Sequence, residues 1–212
     1  LIAIPIFPDD FIKVDWLLIT HDHIDHCDPE TIVPLINKFP DIKIMGPHSV
    51  RKALEKMGVN CERFFLASNE WLTLEENLRV KAVPAAHPVI RKYDDGTYNC
   101  IGYMIDFFNK KIYHSGDTSV DEELITALKR ENRIDVGFIS VNERNYYRDK
   151  AGIIGNMTVR EAFQFARDVN VQSFVPMHWD MFEVNSVYRE EIELLYNKIQ
   201  PGFNLEVNPT LI

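Results

Sequence analysis

An α/β sandwich is the fold class this sequence predicts, and three observations predict it. Apolar runs of strand length alternate with capped, amphipathic helical segments along the chain, the pattern of helices layered on sheets. Candidate metal-binding residues fall just beyond several of those apolar runs, where an open sheet places a site built by its loops. Finally, 212 residues at 46% hydrophobic content can bury one good core, and nothing demands a second. Residues 1–212 are therefore read as a single domain.

The elements follow in order. Residues 14–19 are an apolar run that reads as a buried strand. Asp28 then Pro29 supply a helix cap and a proline at the first helical position, opening a helix to about Lys38. Residues 41–45 read as a strand, and 50–57 as a helix stopped by Gly58. Residues 78–83 and 101–107 read as strands around a polar loop at 91–99. A Lys110, Lys111 turn and a short apolar run follow, then a helix at 121–130 and a strand at 136–141. Thr158 with Glu161 forms a capping box for a helix to about Val169. Residues 174–177 are the next strand, and 189–199 the last helix before Pro201 and Gly202.

The strongest chemical signal leaves the first strand. His21, His23, Asp25 and His26 occupy six residues, and three of the chain's seven histidines fall in this one turn. That concentration disfavours a turn of merely solvated histidines. Neutral imidazoles and a carboxylate suit zinc, manganese or iron(II), and two histidines separated by one residue can turn toward a common point. Asp25 and His26 then face elsewhere, which makes room for a second cation.

This HxHxDH string resembles the metallo-β-lactamase superfamily. The resemblance implies a four-layer αββα sandwich holding two metals between the loop and scattered later ligands. Those later positions match at His87 in Pro84-Ala-Ala-His87, at Asp117 in His114-Ser-Gly-Asp117, and at His178 in Val175-Pro-Met-His178. On that pattern His21, His23 and His87 hold the first metal, Asp25, His26 and His178 the second, and Asp117 bridges them. His114 is assigned either to supporting the ligands from behind or to the pocket, where it would meet substrate, His48 to a loop, and Cys27 to packing. The superfamily fold begins with several strands ahead of the loop, whereas about twenty residues precede it here and the first is Leu1. The expectation is a domain lacking its N-terminal strands, with an uncovered edge or face that favours a homo-oligomer.

Further strings narrow the resemblance to the lactonases of ascorbate utilisation that act on the 6-phosphate: Gly46-Pro47, the His114 to Asp117 turn, Ser140 with Glu143, and Met157-Thr158. It implies hydrolytic opening of a phosphorylated sugar-acid lactone and suggests manganese as the metal pair, while the nitrogen and oxygen ligands equally permit zinc. Two such cations bring the pKa of a bridging water near neutrality. Asp25 is the first candidate to orient that nucleophile or shuttle its proton, and Glu143 the second. A phosphate would need cations, for which Arg144 and Arg148 are the better candidates. Departures fall at Arg144, at 145–156 and around 87–99, the segments expected to face substrate.

Composition sets the outer limits. A formal charge of −9 disfavours nucleic acid, although two cations would still attract a small anionic substrate. No apolar stretch approaches the roughly 20 residues of a membrane span. Cys27, Cys61 and Cys100 have neither a metal-site nor a disulfide rhythm, which suits a reducing, cytoplasmic setting. Two other readings remain: a phosphodiesterase or nuclease on the same fold, and a metal-binding protein without catalysis.

Overall fold

The computed structural model describes residues 6–207. Two sheets lie face to face with helices on both outer sides. The smaller sheet is parallel, in the order β1 (Trp16–Leu18), β2 (Lys43–Gly46), β3 (Phe64–Leu66). Its crossovers are the helices α1 (Pro29–Lys38) and α2 (His48–Lys56). The larger sheet has seven strands. Its antiparallel part is β4 (Leu72–Glu75), β5 (Leu78–Pro84), β6 (Ile101–Phe107) and β7 (Lys110–His114). From β7 onward it is parallel: β8 (Ile134–Ser140), β9 (Val171–Met177) and β10 (Asn204–Leu205). The helices α3 (Glu122–Lys129), α5 (Val159–Asp168) and α6 (Arg189–Ile199) cover its outer face, and a short α4 (Tyr146–Lys150) follows β8.

The period-2 rule sorts the core into three layers. On β2, Ile44 packs with Ile32, Val50 and Leu54 under α1 and α2, while its neighbour Met45 points the other way, between the sheets. On β6, Tyr103 joins Met45, Val80 and Ala82 in that middle layer, and Met104 packs outward with Leu124, Phe163 and Phe174. Tyr103 also ties the sheets together. Its buried hydroxyl lies 3.1 Å from the Ile19 carbonyl and 3.0 Å from that of Met45, at the carboxyl ends of β1 and β2.

Local signals act as the sequence implies. The Asp28 carboxylate accepts from the Glu30 N–H at 3.0 Å, and both halves of the Thr158–Glu161 capping box are present. Several boundaries move. Helix α2 starts at His48 rather than residue 50, because Pro47 is its cap, and β9 begins at Val171 rather than residue 174. The short strands β3, β4 and β10 and helix α4 were not anticipated. Strand β3 leaves Phe65 and Leu66 exposed at the end of the smaller sheet's order. Any strands ahead of Leu1 lie outside the described residues. Among the described residues no helix is long and apolar enough to cross a membrane.

Candidate metal centre

Strands β5, β7, β8 and β9 run in one direction, so their carboxyl ends share one edge of the larger sheet. Ligands of open α/β sheets collect at such an edge. His87 follows β5, Asp117 follows β7, and His178 follows β9. The loop after β1 meets them there, because the Ile101 N–H donates to the Thr20 carbonyl at 3.1 Å and docks the two sheets at this point.

Two short turns set the ligands. In the first, the amides of His26 and Cys27 both donate to the His23 carbonyl, at 3.0 and 2.7 Å. Cys27 is buried among Ile32, Ile44 and Leu54, so it anchors the loop by packing, as expected of it. Burial pushes its thiol up to about 11, with Asp22 and Asp28 adding to the effect, which leaves it a small hydrophobe. The second turn carries Asp117. Gly116 has φ +57°, and a Cβ there would stand 2.7 Å from the Ile101 carbonyl and 3.0 Å from Thr20 Cβ. Only glycine lets this turn lie against the first loop.

The expected ligands converge in two groups: His21, His23 and His87, and Asp25, His26, Asp117 and His178. Within each group the ligand atoms all lie within 4.8 Å of one another. In the first, His87 Nε2 is 3.2 Å from His23 Nδ1. In the second, His178 Nε2 is 3.0 Å from Asp25 Oδ2. Asp117 reaches both groups. Its Oδ2 is 3.7 Å from His87 Nε2 and 3.5 Å from His178 Nε2, and its Oδ1 is 3.3 Å from His26 Nε2.

These residues fit a metal pair. His21 Nδ1 lies 3.0 Å from Thr20 Oγ1, which leaves His21 Nε2 buried without a hydrogen-bond partner. His26 Nε2 and Asp117 Oδ1 are also buried and unpartnered: they approach each other without hydrogen-bond alignment. Buried polar atoms of this kind call for a partner, and cations at the two convergence points would supply it. The donors are nitrogen and oxygen only, which accommodates manganese, zinc or iron(II).

Electrostatics favour the metal-binding protonation states on most of the ligands. Burial foremost, with His26 next, pushes the His21 imidazole down to about 3, and burial likewise lowers His87. Burial opposes ionisation of Asp117, but the close approach of His26, 3.3 Å away, and the charge of His178 outweigh it and hold the carboxyl well below its usual range. Asp25 is lowered in the same way, burial being outweighed by His178 and His26. His178 is raised: burial is outweighed by its bond to Asp25 and the charges of Asp117 and Asp25.

The residues expected to bind substrate are placed differently. His114 is half-buried and its Nδ1 accepts from the Gly116 N–H at 3.2 Å, so it braces the turn that carries Asp117. Burial pushes its pKa down to about 4. Arg148 is not a free cation. Its guanidinium donates to the carbonyls of Asn142, Glu143 and Ser186 at 2.8, 2.6 and 2.8 Å, locking two loops together. Glu143 has φ +48° and its carboxylate lies 3.9 Å from the Arg148 guanidinium. Arg144 is half-exposed and 3.8 Å from Glu161 Oε1. His48, read as a loop residue, is the first residue of α2 and pairs with Asp95 at 2.7 Å.

Two participants escaped the sequence reading. Thr20 orients His21, a role that its place beside the first ligand could have suggested. Phe182 lies with its ring centroid 6.2 Å from that of His178, and nothing in the sequence marks it.

Comparison with known proteins agrees with this geometry. The profile of the beta-lactamase superfamily domain matches residues 4–179. A UPF0173 metal-dependent hydrolase of Pyrococcus furiosus is 26% identical over 209 residues, covering 94% of this chain and 84% of that protein. Another, from Thermoplasma acidophilum, is 28% identical over 176 residues, 82% of this chain and 69% of its own length. Among solved structures, the metallo hydrolase Igni18 of Ignicoccus hospitalis superposes with TM-score 0.71 at 20% identity, covering 92% of this chain and 76% of that one. An isothiocyanate hydrolase from Delia radicum gut bacteria gives TM-score 0.73 at 15% identity, over 98% of this chain and 78% of that one.

Proposed function

The chain belongs to the beta-lactamase superfamily, and from that premise we propose that it is a metal-dependent hydrolase of carboxylic esters, lactones among them. The observation that carries this reading is the Asp117 carboxylate lying between two ligand groups. His21, His23 and His87 would hold one divalent cation and Asp25, His26 and His178 the other, with Asp117 shared. When bound, such a pair lowers the pKa of a water to near neutrality and polarises a carbonyl.

The remaining work falls to the chain. Thr20 Oγ1, at His21 Nδ1, fixes the ring so that Nε2 faces the centre. Asp25, half-buried with Oδ2 already accepting from His178, is the group placed to hold the proton of the nucleophile and return it to the leaving alkoxide. The Glu143 carboxylate faces Arg148 and is left out of this scheme.

The phosphorylated sugar-acid lactone suggested by the sequence asks for free cations at the mouth. Arg148 is committed to three carbonyls, which withdraws one of the two cations expected there and leaves Arg144, half-exposed and 3.8 Å from Glu161 Oε1. The proposal therefore stops at the ester class. It is tested by loading metal-free protein with Mn²⁺ or Zn²⁺ and assaying panels of esters, lactones and phosphodiesters. Ester or lactone turnover that requires metal is expected. Phosphodiester cleavage without ester turnover, or ester turnover unaffected by chelation, would overturn it.

A further inference from the structure

Beside the metal ligands stands a wall of exposed apolar side chains. It comes from two segments, 143–155 and 179–188. Phe182, whose ring lies 6.2 Å from that of His178, connects it to the centre. The second segment adds Val184 and Tyr188, 70% and 76% exposed, and the first carries Tyr146 and Tyr147, 67% and 82% exposed. The segments belong to one surface because Arg148 joins them, its Nη2 donating to the Ser186 carbonyl at 2.8 Å. The Val187 amide closes the second segment onto the Trp179 carbonyl at 2.7 Å.

Charge on this wall disfavours an anion. Arg148 is withdrawn into the backbone, and Lys150 stacks over the Tyr146 ring at 5.7 Å. Arg144 faces Glu161 Oε1 at 3.8 Å, and the acids Glu143, Asp149, Asp180 and Glu183 outnumber the three cations of the same two segments. Large exposed apolar groups clustered beside a reactive centre mark a binding surface.

We propose that this wall receives the apolar chain of the substrate, so that the enzyme takes uncharged esters or lactones with a medium-length alkyl or aryl group. The proposal rests on the hydrolase reading. Phe182 contacts the part of the chain nearest the scissile bond, and Tyr147, Val184 and Tyr188 contact its far end.

The test uses the full chain loaded with metal and a series of γ-lactones whose alkyl substituents lengthen by one methylene at a time. kcat/KM should rise about two- to fourfold per added methylene until the wall is covered. The Y147S/V184S double variant should flatten that slope, chiefly through KM, whereas I12S should keep it. Ile12 is 97% exposed and precedes β1, at the end of the strand away from the metal loop.

A second readout needs no turnover: N-decylacetamide should bind the metal-free protein more tightly than N-ethylacetamide by calorimetry, and the double variant should lose the difference. Turnover with no dependence on chain length would overturn the wall and leave the hydrolase standing. Decyl binding without any turnover would keep the wall as an apolar ligand site and remove the hydrolase reading. A flat chain-length series together with dimerisation abolished by Y147S/V184S would assign the face to a second copy of the chain and overturn the proposal. Higher kcat/KM for a phosphorylated sugar-acid lactone than for the alkyl series would also overturn it.

Discussion

The floor of the site and its rim are built by opposite means. On the floor, seven donors project from strand ends and turns and are buried or half-buried with the exception of His23, and six of them face one another across 3.0–3.7 Å. On the rim, irregular segments present tyrosine and valine to solvent, and the half-buried cation Arg148 binds backbone instead of ligand. The contrast separates two tasks. A floor that holds metal must be rigid and preorganised, while a rim that selects substrate can vary without disturbing it.

The sharpest way to break the comparison is at Asp117, where the two ligand groups meet. Asp117→Ala should lower kcat/KM by more than about 10²-fold, beyond the 10- to 100-fold attached to an outer partner, and should release metal on dialysis. Full turnover with unchanged metal content would remove Asp117 from the bridge.

Arg148 sharpens the rim side. Arg148→Met leaves three carbonyls without their charged donor and should destabilise the chain by about 1–3 kcal/mol, read as a lower denaturation midpoint with metal content unchanged. A variant of unaltered stability that instead loses preference for a phosphorylated substrate would restore the phosphate-binding role expected from the sequence.

Thr20 tests whether the floor is oriented from behind. Thr20→Val keeps the volume and removes the oxygen at His21 Nδ1, so metal affinity should fall about 10- to 100-fold. Thr20→Ser should recover most of it. Equal affinities in all three proteins would show that the contact orients nothing.

The smallest effect is a slope in pH. In metal-free protein His21 is held down to about 3 and His114 to about 4, against an ordinary value of 6.5. The unfolded chain takes up these protons below pH 6.5 while the folded chain refuses them. Stability is therefore full above 6.5 and falls toward pH 4, by at most about 1.4 kcal/mol per pH unit for each histidine. His178 is raised, so its contribution is complete below 6.5 and is lost as pH rises above it; it does not cancel the slope. A midpoint that stays flat between pH 6.5 and 4.5 would contradict the burial argument.

Much of the floor was legible in the sequence because its signals are local. The HxHxDH loop needs six consecutive residues, and Asp28 and the Thr158–Glu161 pair state their caps within one helical turn. The metallo-β-lactamase fold expected from those strings is the fold observed. The rim was not legible. Helix α4 is five residues long and buries none of them, so it shows no apolar stripe. Strands β3 and β10, three and two residues long, are too short for alternation to register. Arg148 looked free because its acceptors at Asn142 and Ser186 come from the tertiary path of two loops, which spacing does not encode. Phe182 reaches His178 for the same reason.

The central claim is that seven side chains form one dinuclear centre joined by Asp117. Calorimetric titration of the metal-free chain with Mn²⁺ or Zn²⁺ tests it most directly. The account predicts a stoichiometry of about two ions per chain, with protons released by His178, whose pKa is raised, and by metal-bound water. Saturation at a single ion in a protein that hydrolyses esters at full rate, or no binding at all, would contradict it.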